Sequence, residues 1–274
     1  MLINKITKDS NAFDSFLIGA LGTLILYGLL WIIFNYGIGQ PDHRVYILLG
    51  GQWPLGLIQF STFLAFFWAM VLVGTKSRKL KWETGFFALN LLPTDEHQVM
   101  RPEHINDLRL SLANLEEKSS ILVTALQRAC TKFRANKSPQ ETMDLVKIQI
   151  DMEMDLLDSS YGLIRYLAWS IPSIGFIGTV MGISGALGNA DKAVAGDIAM
   201  VTSQLGVAFD TTLVALLLSI ILMFQIHISQ QKEESLIIGI HDYIIENFIK
   251  SFSPFLKMTC TFFQCTVRYK HATR

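Results

Sequence analysis

Residues 166–187 read YLAWSIPSIGFIGTVMGISGAL and carry no charge over 22 positions. An α-helix of this length can cross the hydrocarbon layer of a membrane. At about 100° per residue, five small or kinked positions fall on one narrow face of the predicted helix. They are Pro172, Gly175, Thr179, Gly182 and Ala186. A helix that only contacted lipid would carry large apolar side chains all round, so this face predicts either GxxxG-type packing through Gly178 and Gly182 or the wall of a lumen.

The composition predicts a polytopic membrane protein. Hydrophobic residues make up 51% of the chain, and the formal net charge is zero. The apolar residues are concentrated in a few long runs, and the absence of net positive charge argues against a nucleic-acid partner. The three cysteines, Cys130, Cys260 and Cys265, lack metal-ligand spacing, and we expect them to be reduced thiols on the cytoplasmic side.

Four apolar runs, at about 16–36, 55–75, 166–187 and 199–226, predict an all-α protein with four transmembrane helices. The second run is followed by Lys76, Arg78, Lys79 and Lys81, which places that end in the cytoplasm. The predicted divisions are a cytoplasmic amino terminus at 1–15, crossings one and two within 16–75, a cytoplasmic helical domain at 76–165, crossings three and four within 166–226, and a cytoplasmic tail at 227–274.

Apolar residues in the predicted cytoplasmic domain recur every three or four positions, as they do in packed helices. They are Ile105, Leu108, Leu112 and Leu115, then Leu122, Leu126, Ala129 and Phe133. A further helix is expected to begin at Ser138, with Glu141 closing a capping box, and to run on into the third crossing. Its stripe would pack within the domain or against a coiled-coil partner. In the tail, Pro254 is expected to break a helix.

The fourth run carries a second face of small and polar residues. Gln204, Ala208, Thr211, Ala215 and Ser219 recur at helical spacing, and Thr212 lies beside them. Since crossings three and four are antiparallel neighbours, the two faces are predicted to line one cavity, with Thr179 and Thr211 at middle depth. Alternatively, each threonine hydroxyl binds a carbonyl of its own helix, which has no functional consequence.

Asp210 is the one acidic residue predicted to lie within a crossing. A carboxyl group at that depth is costly, so it should face protein or water. Because it projects about 100° from Thr211, a structural position between helices competes with a role as an intramembrane acid. The sequence contains no phosphate-binding loop, HExxH motif or Gly-flanked nucleophilic serine. We therefore predict neither an enzyme nor a cofactor or metal site.

The third crossing carries Pro172-x2-Gly175-x2-Gly178-Thr179-Val180-x-Gly182, and the fourth carries Ala208-x2-Thr211-Thr212. These motifs resemble those of the MotA/TolQ/ExbB proton-channel family. The resemblance implies an inner-membrane pentamer of this chain around a dimer of a single-span MotB, TolR or ExbD-like protein, whose intramembrane Asp carries protons. It also implies that Thr179 and Thr211 are pore threonines, that Pro172 is the helix-start proline, and that Gly175, Gly182, Ala208 and Ala215 line the channel.

The chain also differs from the family pattern. Gly206 stands where relatives often have Glu, and Ile220 stands near a frequent Pro. Four crossings resemble the flagellar stator arrangement, whereas an ExbB-like transporter energiser or a Zorya-type defence stator also agrees with the motifs. Two other classes compete with a proton-driven motor: a non-conducting scaffold that recruits partners through its soluble helices, and a secondary transporter, which would typically show repeats and several buried charges.

Overall fold

The computed structural model describes residues 3–37, 44–51, 56–87, 104–113 and 120–249. Every regular element in these ranges is helical. The α-helices are α1 (Ile3–Ile32), α2 (Arg44–Leu48), α3 (Gly56–Phe87), α4 (His104–Ala113), α5 (Ile121–Asn136), α6 (Pro139–Ser160), α7 (Gly162–Gly188), α8 (Ala190–Val194) and α9 (Ala199–Ile244), and π-helical turns span Ile33–Gly37 and Ile245–Ile249. The predictions for Leu115, Pro254, Cys260 and Cys265 lie outside the described residues.

Four of these helical stretches are long and apolar enough to cross a membrane, which confirms the predicted number. They are Ala12–Asn35, Gly56–Gly85, Pro139–Gly188 and Ala199–Phe248. Helix α9 has 46 residues and is therefore about 69 Å long. A hydrocarbon layer is only about 30 Å thick, so α9 continues well beyond it. The fourth apolar run ends at 226, but the helix does not, because residues 227–238 contain neither Gly nor Pro.

The predicted single helix from residue 138 through the third crossing is interrupted at one residue. Helix α6 ends at Ser160 and α7 begins at Gly162, while Tyr161 keeps a right-handed backbone with φ −88° and ψ −3°. The Ser160 hydroxyl donates to the Leu157 carbonyl at 2.6 Å, and Gly162 is a poor helix former. The sequence therefore weakens the helix at this point.

The described residues form two compact units. The first comprises 3–37, 44–51, 56–77 and 161–230, and contains the apolar parts of the four long helices. In it α1 packs closely on α3, since a Cβ at Gly19 would lie 2.8 Å from the Trp68 Cα. The rings of Phe16 and Trp68 meet edge to face at 5.1 Å. One end of this hairpin is fixed by the Tyr27 hydroxyl, which donates to the Leu49 carbonyl at 3.0 Å.

Tyr161 joins three helices of the first unit at one end. Its side chain is fully buried, and its hydroxyl donates to the Ser229 Oγ at 2.9 Å. The Lys76 ammonium lies 5.1 Å from the centre of the Tyr161 ring, a cation–π distance. The residue that separates α6 from α7 is thus held by α3 and α9.

The second unit comprises 78–87, 104–113, 120–160 and 231–249. Its core is built from the stripes predicted from the sequence: Ile105, Leu112, Leu122, Leu126, Ala129 and Phe133 are all at most 4% exposed. Phe133 of α5 meets Phe248 of the last π-helical turn edge to face, with centroids 6.2 Å apart. Internal packing therefore accounts for these stripes, as expected for a small helical unit.

The start of α6 has the predicted Ser138 cap but lacks the predicted return hydrogen bond from Glu141. The Ser138 hydroxyl accepts a hydrogen bond from the Glu141 backbone N–H at 3.4 Å, and α6 begins at Pro139. The Glu141 carboxylate does not complete the capping box; it pairs with Lys132 at 2.9 Å and accepts from the Asn136 amide. Two partners on α5 compete with the Ser138 backbone, and the carboxylate joins α5 to α6 instead.

Glu83, near the end of α3, holds the start of α5. The side chain is 3% exposed, and its Oε2 accepts from the Ser120 Oγ at 2.8 Å and from the Ile121 backbone N–H at 3.1 Å. A helix leaves its first N–H groups without intrahelical partners, and a carboxyl group there also interacts favourably with the helix dipole. A side chain from a distant helix thus takes the place of a local N-cap.

We expect Glu83→Ala to destabilise the second unit by about 1.5–3 kcal/mol, because it leaves the buried Ser120 hydroxyl and the Ile121 N–H without this acceptor. Thermal unfolding of the purified protein in detergent, followed by circular dichroism, measures the change. Glu234→Ala is the matched control, since Glu234 is an exposed acid of the same unit. Equal unfolding temperatures for the two variants would contradict this role.

Candidate functional site

The small faces of α7 and α9 lie directly against each other. A Cβ placed on Gly175 would lie 2.4 Å from the Ala215 Cβ, and one on Gly182 would lie 2.6 Å from the Ala208 Cβ. Both distances are too short for real atoms, so only glycine fits at these positions of α7. The two faces predicted from the sequence therefore meet in register, at the backbone separation that small residues allow in membranes.

Three threonine hydroxyls lie halfway along the length of this contact. The Thr179 Oγ1 lies 3.1 Å from the Ala208 carbonyl of α9, to which it can donate, and it lies against the Thr212 Oγ1. The Thr212 Oγ1 lies 3.0 Å from the Gly175 carbonyl of α7, to which it can donate. Each hydroxyl has a single proton, so the Thr179–Thr212 hydrogen bond forms when one of the two donates to the other instead of to a carbonyl. Thr179 and Thr212 thus form a reciprocal pair in which each hydroxyl reaches a backbone carbonyl of the opposite helix.

Thr211 has a different environment from its neighbour. It is 1% exposed, and its hydroxyl donates to the Ala208 carbonyl of its own helix at 2.9 Å. A Cβ on Gly178 would lie 2.4 Å from the Thr211 Oγ1, so the side chain fills the space left by that glycine. Within the single chain, Thr211 therefore packs between the helices, whereas Thr179 and Thr212 are only half-buried.

Thr212 is the residue that sequence reasoning undervalued. Helical spacing places it beside the small face of α9, but the partner of its hydroxyl depends on how far α7 and α9 are shifted along each other. That shift is set by contacts such as Gly182 with Ala208, which one helix alone does not reveal. The Thr211-Thr212 dipeptide was the available signal.

Pro172 does not start a helix here. It lies inside α7, ten residues after Gly162, and is half-buried. Proline lacks the N–H that would bind the carbonyl four residues earlier, and it usually kinks a helix. In α7 the hydroxyls of Ser170 and Ser173 donate to the carbonyls of Leu167 and Trp169 at 2.8 and 3.1 Å. The carbonyl that lacks its helical donor is that of Ala168, so these two hydrogen bonds lie on either side of the gap and do not fill it.

Asp210 lies on a different face of α9 from the threonines. It is 3% exposed, and it shares its face with Val207 and Val214, which are 6% and 5% exposed. Protein therefore covers this carboxyl group within the single chain, as expected for an acid at membrane depth. Within the ranges that the structure describes, no three His, Cys, Asp or Glu side chains are grouped so that they could hold a metal ion.

The profile of the MotA/TolQ/ExbB proton channel family matches residues 114–241. The match includes α5, α6, α7 and α8, most of α9, and both small faces. Residues 114–241 therefore form a channel region of the MotA/TolQ/ExbB proton channel family.

MotA/TolQ/ExbB proteins are channel-type membrane subunits rather than enzymes, and they form complexes with partner proteins. Together with four apolar helices, this match describes a multi-pass membrane protein of proton-channel type. No curated protein and no solved structure matches the chain at a significant level.

We expect Gly182→Ala to lower stability by about 1–3 kcal/mol, because the added methyl group forces α7 away from Ala208 and from the Gln204 carbonyl, which would lie 2.9 Å from it. Gly28→Ala in α1 is the matched control, since a Cβ placed there would have no atom within 4 Å. It should be neutral or stabilising, because Ala favours a helix over Gly by about 1 kcal/mol. Thermal unfolding in detergent measures both, and a destabilised control with an unaffected Gly182→Ala would contradict the close contact.

Proposed function

We propose that the chain is the channel-forming subunit of a proton-driven motor complex in the bacterial inner membrane. Five copies would surround a dimer of a single-span protein related to MotB, TolR or ExbD. The complex would use proton motive force to drive rotation or to transmit force to a load. Both termini and the helices from 76 to 165 would lie in the cytoplasm, in agreement with Lys76, Arg78, Lys79 and Lys81 at the end of the second crossing.

The observation that carries the proposal is the half-buried hydroxyl pair of Thr179 and Thr212, in the middle of an apolar hairpin that matches a proton-channel family. Hydroxyls both donate and accept hydrogen bonds. Exposed neighbours such as Phe176 and Phe209 are apolar and could not pass on a proton. A proton that crosses this hairpin therefore has these hydroxyls as its available protein contacts at middle depth.

In the proposed mechanism, an Asp in the partner's span takes a proton from the outer side and is neutralised. As the partner turns, its carboxyl group passes Thr179, whose hydroxyl stabilises the charged form by donating a hydrogen bond. Gly175 and Gly182, with Ala208 and Ala215, keep α7 and α9 close enough to hold this hydroxyl in place. Thr211, which packs against Gly178, would help to hold α7 and α9 together at this point.

Asp210 is the remaining candidate acid. Relatives often have Glu where this chain has Gly206, and Asp210 lies one helical turn later, about 40° around α9. It could therefore replace the missing Glu in releasing protons to the cytoplasm. Its 3% exposure favours a structural role instead, since water does not reach it in the single chain.

A non-conducting scaffold is the second candidate, and one observation favours it. The small faces of α7 and α9 contact each other through Gly175, Gly178 and Gly182, which is what packing alone requires. The soluble helices of the second unit would then recruit partners. Conduction separates the candidates, because a scaffold has no use for a hydroxyl at Thr179.

We expect Thr179→Val and Thr212→Val to stop proton flux while leaving assembly with the partner intact, because valine keeps the shape of threonine and removes only the hydroxyl. Flux is measured in proteoliposomes containing the chain and the product of a neighbouring gene with one Asp-containing span. Thr62→Val is the matched control: Thr62 is 1% exposed in α3 and donates only to the Ile58 carbonyl of its own helix. Absence of flux in the wild-type complex would favour the scaffold, and unchanged flux in both test variants would remove these hydroxyls from the proton path.

We expect Asp210→Asn to retain proton flux and to lower the thermal stability of the chain, because the amide keeps the size of the side chain but changes its hydrogen bonding where the same chain covers it. Thermal unfolding in detergent measures the stability. The same proteoliposomes give the flux, and native mass spectrometry counts the subunits. Complete loss of flux in a fully assembled complex would instead assign Asp210 to the proton path.

A further inference from the structure

Helix α6 has a second apolar face that the described residues do not cover. Its inner face is buried, with Val146 at 1% exposure and Leu157 at 8%. On another side Ile148, Met152 and Leu156 are 60%, 53% and 58% exposed. These three residues follow each other at intervals of four, so they form one continuous row, which we call the α6 stripe.

Carboxylates line one edge of the α6 stripe. Asp144, Asp151 and Asp155 lie about 60–100° from Met152 around the helix, all on the same side. Each is exposed, and none forms a salt bridge with a described residue. Lys147, the one cation of α6, lies about 140° from Met152. Lys147 lies on the same side, three residues after Asp144 and four before Asp151, so the surface combines an apolar row with a border in which three acids outnumber one lysine.

Residues 250–274 have the complementary composition. The segment, SFSPFLKMTCTFFQCTVRYKHATR after Lys250, contains five cations and no acid. The cations are Lys250, Lys257, Arg268, Lys270 and Arg274. Apolar and aromatic residues lie between them, among them Phe255, Phe262, Phe263 and Tyr269. A basic segment with large apolar side chains fits an acidic border beside an apolar row.

We propose that residues 250–274 of the chain dock on the α6 stripe, with their apolar side chains on Ile148, Met152 and Leu156 and their cations beside Asp144, Asp151 and Asp155. This intrachain contact covers the outer face of the helix that leads into α7. It goes beyond the proposed function and does not depend on proton conduction. A partner that used the same face would first have to displace this segment.

The path of the chain makes the contact easy to reach. The π-helical turn Ile245–Ile249 packs against α6, and Phe248 is fully buried in the second unit. From Ile249 to Cys260 an extended chain spans up to about 36 Å. Helix α6, with 22 residues, is about 33 Å long. Residues 250–260 alone can therefore follow α6 over its whole length, and the tether keeps their effective concentration high.

Two other occupants fit less well. A second copy docked stripe to stripe would bring Asp144, Asp151 and Asp155 against the same acids, and like charges repel. In a ring of five, a neighbouring copy would meet the stripe with a different face, and a disulfide between two chains would identify that occupant. Anionic lipid would attract the basic segment, but it would leave the α6 stripe in water. Docking on α6 gives the basic segment acidic partners and also covers the exposed apolar row.

Disulfide trapping in the full-length protein tests the proposal, because residues 250–274 contain their own thiols, Cys260 and Cys265. Met152→Cys places a thiol in the middle of the α6 stripe. Oxidation with copper phenanthroline should form an intrachain disulfide, which mass spectrometry of peptides identifies. Burial raises the pKa of the Cys130 thiol to about 12, so Cys130 remains protonated and does not compete.

Lys147→Cys is the control, since it is an exposed position about 140° from Met152 around the same helix, just beyond the acidic border. We expect the disulfide yield of Met152→Cys to exceed that of the control several-fold, with the product running as a monomer on a non-reducing gel. Equal yields, or disulfides found only in dimers, would overturn the proposal.

Two further measurements test the chemistry of the contact. Asp151→Asn with Asp155→Asn, added to Met152→Cys, should lower the disulfide yield several-fold, as should high salt. An unchanged yield would refute the electrostatic contact. Trapping is then repeated in nanodiscs that contain anionic lipid. Disulfide formation there supports docking on α6, whereas its loss would assign residues 250–274 to the membrane surface.

Discussion

The contact between the backbones of α7 and α9 is the constraint on which the site depends. Water does not compete for apolar surface inside a membrane, so helices associate there through close packing and hydrogen bonds. At Gly175, Gly178 and Gly182 even a methyl group would overlap α9. The absence of these side chains brings carbonyl groups of one helix within reach of the hydroxyls of the other. The contacts of Thr179 and Thr212 follow from this separation.

The same separation explains why two adjacent threonines have different environments. Thr211 lies where Gly178 leaves space, and its hydroxyl turns back to the Ala208 carbonyl of its own helix. Thr212 is turned by about 100° and reaches the Gly175 carbonyl of α7. Thr211 thus agrees with the alternative in which a threonine hydroxyl binds a carbonyl of its own helix. Thr212 instead forms a polar pair with Thr179 at the edge of the contact.

Much of the fold could be predicted because it depends on local patterns. The apolar runs predicted four crossings, and apolar residues that recur every three or four positions predicted which side chains of α5 are buried, such as Leu126 and Phe133. Contacts between distant segments could not be predicted in this way. The Thr179–Thr212 pair depends on the shift between two helices, and Glu83 holds Ser120, which lies 37 positions further along the chain. No periodicity in either segment specifies such a partner.

The geometry also limits how α7 and α9 could form part of a channel. Their small faces are occupied by each other, so a common axis cannot open between them without breaking the contacts of Gly175 with Ala215 and of Gly182 with Ala208. A lumen lined by this hairpin must therefore lie beside the contact, where Thr179 and Thr212 are half-buried and can still be approached. Several hairpins arranged around an axis would each present one such edge. Tight packing within a subunit and a polar wall between subunits are then two consequences of the same glycine spacing.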